Sequence, residues 1–141
     1  MRFIDTNVFV RFLTFKPEEA DSTFFRAARD IFRSDQAGSE QFTTNDAVVA
    51  EVIFVLTSPN LYSMSRSDVL MRLGEILREP HCMLNNRAVI FQALAFWESN
   101  ARISFVDALC LATSHDQQYD LVTFDAALAK VANVVRWDLR T

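Results

Sequence analysis

The sequence predicts an α/β fold built on a central parallel sheet of about four to five short strands. Short apolar runs alternate with stretches of helical periodicity along the 141 residues, and strands separated by helices pair in parallel through helical crossovers. Only 2 Gly and 3 Pro are present, too few for an all-β chain with many tight turns. Half of the residues are hydrophobic and 13 are Phe, so a single domain over residues 1–141 is expected to bury a substantial core.

Each predicted strand is a short apolar run bounded by turn or helix signals. The first ends at Asp5, where Asp5-Thr6-Asn7 starts a turn. The predicted strands are residues 2–5, 41–44, 82–84, 121–123 and 134–135. In open parallel sheets, functional sites form beyond the carboxyl ends of the strands. Asp5 and Asp125 fall at such ends, so they can meet in space although they are distant in sequence.

The predicted helices begin at recognisable signals. Asn7 is the predicted N-cap of the first helix, and Pro17 with acidic neighbours opens the second. Asn45 or Asp46 caps the third helix, which is apolar nearly all round and is therefore predicted to be buried. The helices are predicted at about residues 7–13, 16–32, 45–57, 67–78, 87–97, 104–115 and 126–131.

The sequence predicts neither a membrane protein nor a secreted one. The apolar run at residues 8–10 is cut by Arg11, and no stretch approaches the roughly 18 apolar residues of a membrane span. Cys82 and Cys110 are too few for a disulfide framework. The expected setting is the reducing cytoplasm.

Four acidic residues interrupt runs that are otherwise almost wholly apolar: Asp5, Glu51, Asp107 and Asp125. A carboxylate in an apolar setting is costly unless a cation or hydrogen bonds compensate it, and no Lys or Arg stands directly beside any of the four. One shared divalent cation would explain all four. Oxygen ligands without a His or Cys cluster favour Mg²⁺ or Mn²⁺ over zinc, and His81 and His115 are interpreted as surface or helix-end residues.

Each acid also has a structural interpretation that the sequence leaves open. Asp5 could hydrogen-bond the next turn, and Asp125 could cap the helix that starts at Ala126. Asp107 stands three residues after Ser104, the spacing of a capping box. Glu51 is hardest to explain in this way, because it lies mid-helix with no basic residue one turn away.

A site made of carboxylates and Mg²⁺ suits phosphodiester hydrolysis, since the metal polarises the phosphoryl oxygen and activates water. No Ser, His or Cys nucleophile is then required. Neutral oxygens and amides near the acids could orient them or contact substrate phosphate: Thr6, Asn7, Ser104 and Thr123.

Four motifs, taken in order, resemble those of PIN-domain ribonucleases, and specifically the VapC-type toxins of toxin–antitoxin pairs. They are Phe3-Ile4-Asp5-Thr6-Asn7, Glu51 within residues 45–52, Phe105-Val106-Asp107-Ala108, and Leu121-Val122-Thr123-Phe124-Asp125. The resemblance implies a three-layer α/β/α fold and a Mg²⁺- or Mn²⁺-dependent endoribonuclease, usually a homodimer inhibited by its antitoxin. Asp5, Glu51, Asp107 and Asp125 match the family's acidic quartet, and Asn7 and Thr123 match its polar accessory positions.

The net charge of −4 neither favours nor excludes an RNA partner, because two bound divalent cations would cancel it. In addition, 12 of the 14 basic residues are Arg, which suits contacts with phosphates and bases. Arg11 could face the site and contact RNA, with Arg87 and Arg102 as looser possibilities and a solvated role as the alternative for each. A Phe-rich segment could either pack in the core or face an antitoxin or a second copy; it contains Phe12, Phe15, Phe24, Phe25 and Phe32.

Three other functions compete with the toxin interpretation. A PIN-domain nuclease could process RNA without an antitoxin, or a catalytically inactive PIN-like module could serve only in binding. A haloacid-dehalogenase-like phosphatase also has an Asp at the end of its first strand, but its chemistry requires a second Asp where this chain has Asn7. It also requires a Lys in the site, and Lys16 and Lys130 are the only ones in the chain.

Overall fold

The computed structural model describes residues 1–16, 18, 22–32 and 40–132. Its elements in chain order are β1 (Arg2–Phe3), α1 (Thr6–Leu13), α2 (Thr23–Phe32), β2 (Phe42–Thr43), α3 (Asp46–Thr57), α4 (Arg66–Leu77), α5 (Arg87–Ser99), α6 (Phe105–Gln117) and α7 (Ala126–Ala132). The chain divides into two compact units, Met1–Asn85 and Asn86–Thr141.

The first unit contains the sheet. Strands β1 and β2 are parallel, with Arg2 opposite Phe42 and Phe3 opposite Thr43. The pairing continues one residue further, because the Ile4 amide donates to the Thr43 carbonyl at 2.9 Å. The predicted strand at residues 82–84 is seen only as a single parallel bridge between Phe42 and Cys82. Within the described residues the sheet is therefore two strands and one bridge, and its predicted size of four to five strands stays a prediction.

Aromatic packing forms the core of the first unit. Helix α1 packs on α2 and α3, and α3 packs on α4. The Phe32 ring is fully buried; its centroid lies 5.0 Å from that of Phe9 and 5.3 Å from that of Phe42. This cluster joins α1, α2 and β2, so it determines where α1 and its acidic N-terminus lie relative to the sheet.

The helix starts follow the capping signals, with one correction. Of the two predicted caps of α3, Asn45 and Asp46, Asn45 is the cap, because its side chain accepts from the Val48 amide at 2.9 Å. The prediction of Asn7 as the cap of α1 is wrong by two residues. The cap is Asp5, whose backbone is extended and whose carboxylate accepts from the Thr6 amide. Asp is as good a cap as Asn, and β1 ends close enough to place Asp5 at the first exposed amides of α1.

The prediction that α3 is buried all round is wrong for one face. Val49, Val52, Ile53 and Leu56 are buried, but Ala47, Glu51 and Phe54 are exposed. These three residues are spaced i, i+4 and i+7 and therefore form one stripe along the helix. Hydrophobic content could not reveal this stripe, because two of its three members are apolar.

The second unit is helical in its described part. Helices α5 and α6 pack together through buried residues such as Ile90, Leu94 and Ala108, and the Trp97 and Phe105 rings meet edge to face at 6.3 Å. Residues 121–123, predicted as a strand, pair with no strand among the described residues, so this strand is not confirmed. A strand requires a neighbouring strand to hydrogen-bond, and none lies in the described part of this unit. The candidate strand at residues 134–135 lies outside the described residues. The predicted start of the second helix near residue 16 is wrong, because α2 begins at Thr23, where the Ser22 hydroxyl accepts from the Phe25 amide at 3.0 Å.

In the part of the chain that the structure describes, every helix is too short or too polar to cross a bilayer.

Candidate active site

Asp5 stands at the junction of β1 and α1. Its Oδ1 accepts from the Thr6 amide at 2.7 Å, so the carboxylate is held across the positive end of α1. The Asp5 side chain is exposed to solvent. The sequence-based alternative, a hydrogen bond into the next turn, is therefore present, and it occupies only one carboxylate oxygen.

Thr6 links the start of α1 to the middle of α3. Its hydroxyl donates to Glu51 Oε2 at 3.1 Å, and the Thr6 residue is 8% exposed. A β-branched side chain on a helix has few rotamers, so the hydroxyl is aimed with little freedom. Through Thr6 the structure brings the elements that carry Asp5 and Glu51 together within the first unit.

Glu51 lies on the exposed stripe of α3. The apolar residues next to it in sequence point to the other side of the helix, because neighbours in a helix are separated by about 100°. The cost of burying a carboxylate, which drew attention to this residue, is thus avoided by exposure. A single hydrogen bond from a threonine is its orienting contact.

Asp107 and Ser104 form a capping box at the start of α6. The Ser104 hydroxyl accepts from the Asp107 amide at 3.1 Å, and Asp107 Oδ2 accepts from the Ser104 amide at 3.1 Å. The capping interpretation of the Ser104–Asp107 spacing is therefore confirmed, although Asp takes the position where Glu or Gln is usual. Asp107 is only partly exposed.

Asp125 caps α7. Its Oδ1 accepts from the Leu128 amide at 2.7 Å, and its own amide donates to Thr123 Oγ1 at 3.0 Å. The predicted capping role is again present. Thr123 orients the backbone of Asp125 rather than its carboxylate.

All four carboxylates share one arrangement. In each, one oxygen accepts a hydrogen bond of 2.7–3.1 Å from the protein, whereas the second has no protein partner among the described residues. None of the four forms an ion pair with a described Lys or Arg. A carboxylate that is held by one oxygen and free at the other is oriented but not neutralised.

The remaining predicted residues lie in varied surroundings. Asn7 is exposed in the first turn of α1. The Arg11 guanidinium lies 4.9 Å from the centre of the Phe24 ring, which places it against α2. Arg87 covers Phe91 in the second unit at 5.2 Å. Arg102 is exposed in the turn before α6.

The two histidines have structural contacts. His81 is half-buried rather than a free surface residue: its Nε2 lies 3.3 Å from the Ile31 carbonyl and its ring packs against Phe42. His115 lies in the last turn of α6 and pairs with Gln92 at 3.0 Å. Neither contact involves a predicted catalytic acid.

No three His, Cys, Asp or Glu side chains among the described residues are grouped as a ready metal cage. The chemistry of the donor set nevertheless fits a hard divalent cation. The four residues offer only carboxylate oxygens, each has one oxygen free, and no described cation competes for them.

The described chain combines parallel strands linked by helices with four oriented carboxylates, three at helix starts and one, Glu51, within α3. This is an α/β protein whose acidic side chains suit a hard divalent cation. A family profile described as PIN domain matches residues 2–134. The chain therefore belongs to the PIN domain family, whose fold is three-layer α/β/α and whose members are generally metal-dependent nucleases. A search of curated proteins returned no match. The predicted PIN family is confirmed, whereas the narrower VapC-type assignment stays a prediction.

Proposed function

We propose that this protein is a Mg²⁺- or Mn²⁺-dependent endoribonuclease that hydrolyses RNA phosphodiester bonds. Its catalytic acids and metal ligands are Asp5, Glu51, Asp107 and Asp125. The observation that carries the proposal is their shared arrangement, in which one oxygen is held by the protein and the other is free. The family match, which runs through both units, supports one nuclease domain over the chain.

The protein contributes orientation before any chemistry occurs. The Thr6 amide holds Asp5 and the Thr6 hydroxyl holds Glu51, so one residue positions two acids. Backbone amides of Ser104 and Leu128 hold the other two. Backbone donors of this kind are already in place and need no reorganisation during the reaction.

A divalent metal, when bound, would polarise the phosphoryl group and lower the pKa of water. The free oxygens of the four acids are the groups that would hold it. Asn7, exposed in the first turn of α1 two residues after Asp5, is available to donate to a substrate phosphate. Thr123 and Ser104 act indirectly. The Thr123 hydroxyl holds the backbone amide of Asp125, and the Ser104 hydroxyl holds that of Asp107.

We further propose that the nuclease is the toxin of a toxin–antitoxin pair, acting in the cytoplasm as a homodimer. The Phe-rich segment supports a protein partner, since Phe24 is 68% exposed and Phe15 is 39% exposed. Beside them, α1, α2 and α4 line a cavity of about 350 Å³ in the first unit. Both cysteines are free, as in a reducing compartment.

Substitution of Asp5 by Asn tests the proposed function. Asp5→Asn keeps an acceptor for the Thr6 amide but removes the charge, so we expect cleavage of RNA and growth arrest on expression both to be lost while the protein remains folded. In the unmodified protein, EDTA should stop cleavage and Mn²⁺ should restore it. Asp30→Asn is the matched control, because Asp30 is an exposed Asp on α2 that pairs with Arg29.

The outcome separates the enzyme from a binding module. If Asp5→Asn cleaves RNA like the parent protein, the assignment of the acids is wrong. A second outcome is RNA cleavage that depends on metal and Asp5 but causes no growth arrest that an antitoxin can relieve. That outcome would support the nuclease activity and rule out the toxin role.

A further inference from the structure

We propose that Phe54, on the exposed stripe of α3, is a stacking platform for a base of single-stranded RNA beside the catalytic acid Glu51. Phe3 and Phe124 are proposed to do the same beside Asp5 and Asp125. The inference rests on the proposed function and extends it, because it names residues that position the substrate. These side chains bear no charge and were not predicted as site residues from the sequence.

The exposed phenylalanines fall into two groups. Phe15 and Phe24 lie away from the acids in sequence, and each ring has a partner: Phe15 stacks on Phe25 at 4.2 Å, and Arg11 covers Phe24 at 4.9 Å. Phe3, Phe54 and Phe124 are 58%, 71% and 59% exposed and have no ring or cation partner among the described residues. Each of these three is within three positions of a predicted catalytic acid.

Phe54 has the clearest geometry. It follows Glu51 by three residues in a continuous helix, so both side chains project from one face with Cβ atoms about 5–6 Å apart. The carboxylate acts on a phosphate, and the base of the same or the next nucleotide is one sugar away. A ring at this distance is well placed to support that base while the phosphate lies at the acid.

Folding does not account for a Phe at this position. Burying a Phe side chain contributes about 1.5–3 kcal/mol, and four other apolar residues of α3 obtain a gain of this kind by packing inside. Val49, Val52 and Leu56 are each no more than 1% exposed. Phe54 presents an uncovered aromatic face to solvent, a surface on which any base can stack.

The surroundings of Phe54 favour RNA over a protein partner. Its neighbours on the stripe are Ala47 and Glu51, one small and one charged. A protein interface would bury a broad apolar patch with few charges at its centre. An exposed ring beside a carboxylate that keeps one oxygen free instead suits a substrate that has both a flat base and a phosphate.

Binding of a fluorescein-labelled, mixed-sequence single-stranded RNA in EDTA tests the inference without cleavage. We expect Phe54→Leu to weaken binding by roughly 5- to 150-fold, the equivalent of the ~1–3 kcal/mol that one stacked base contributes. Phe54→Trp should bind as well as the parent protein or better. Tyr119→Leu is the control, because Tyr119 is an equally exposed aromatic residue (64%) outside the proposed site.

A second probe isolates the base from the phosphate. An abasic oligomer of the same length keeps the sugar–phosphate chain, so Phe54→Leu should not weaken its binding. With metal present, Phe54→Leu should raise KM more than it lowers kcat, since the acids are unchanged. Phe3→Leu and Phe124→Leu should behave in the same way.

Three results would overturn the inference: unchanged RNA affinity in Phe54→Leu, the same loss with the abasic oligomer, or a changed oligomeric state on sedimentation with RNA affinity intact. The last would assign Phe54 to a protein interface. Failure of the proposed function has a different signature, because it would appear as cleavage that persists in Asp5→Asn.

Discussion

Asp107 is the acid whose observed structural role and proposed catalytic role can be separated most cleanly. Its Oδ2 completes the capping box of α6, while its other oxygen has no described protein partner. Two substitutions affect the same cap. Asp107→Gln keeps an acceptor for the Ser104 amide but removes the carboxylate charge. Ser104→Ala keeps the backbone amide that donates to the Asp107 carboxylate but removes the hydroxyl that accepts from the Asp107 amide.

The two variants are expected to lose similar amounts of stability. Losing a Ser cap costs about 1 kcal/mol, and losing a charge in the first turn of a helix costs about 0.3–1 kcal/mol. Both groups are at least partly exposed, so values at the lower end are expected. In thermal unfolding each variant should shift Tm downwards by about 2–6 °C.

Their effects on RNA cleavage should differ. Asp107→Gln should lose more than the roughly 10- to 100-fold typical of a residue that only orients a metal ligand. Ser104→Ala should lose no more than the lower end of that range, about tenfold, because the Ser104 hydroxyl contacts the Asp107 amide and not its carboxylate. Equal stability with unequal activity would assign a catalytic role to the carboxylate. If Asp107→Gln cleaves RNA at the rate of the parent protein, Asp107 is only a helix cap and is not one of the catalytic acids.

Two further changes test the contacts of the first unit. Thr6→Val keeps the shape of a buried side chain but removes the 3.1 Å hydrogen bond to Glu51. Because solvent can replace that bond, the free energy of unfolding should fall by only about 0.5–1 kcal/mol. RNA cleavage should fall roughly 10- to 100-fold. Unchanged cleavage would show that Glu51 does not need Thr6. Phe32→Ala should lower the free energy of unfolding, measured in urea, by about 3–5 kcal/mol. The reason is that the Phe32 ring packs between those of Phe9 and Phe42. A loss below about 1 kcal/mol would contradict that packing.

Local signals in the sequence predicted most helices well. Asn45, Ser104 and Asp125 act as caps in the structure as their spacing indicated, and the third helix ends at Thr57 as predicted. A cap involves only residues three or four positions apart, so a short stretch of sequence contains all the information. The same reasoning failed at Asn7, where Asp5 and Asn7 were both chemically suitable caps and the end of β1 decided between them.

The sequence by itself determined the family and which residues are candidates for the chemistry. The candidates are four acids in apolar runs and their neutral neighbours, and the order of their motifs identified a PIN domain. Only the tertiary structure decided that Glu51 is exposed rather than buried, that Thr6 orients it from another helix, and that Arg11 lies against Phe24. It also decided that residues 121–123 have no strand partner among the described residues. The physical reason is the sequence separation of the interacting residues. Composition and periodicity describe a single helix or strand, whereas exposure, strand pairing and side-chain contacts depend on segments far apart in the chain.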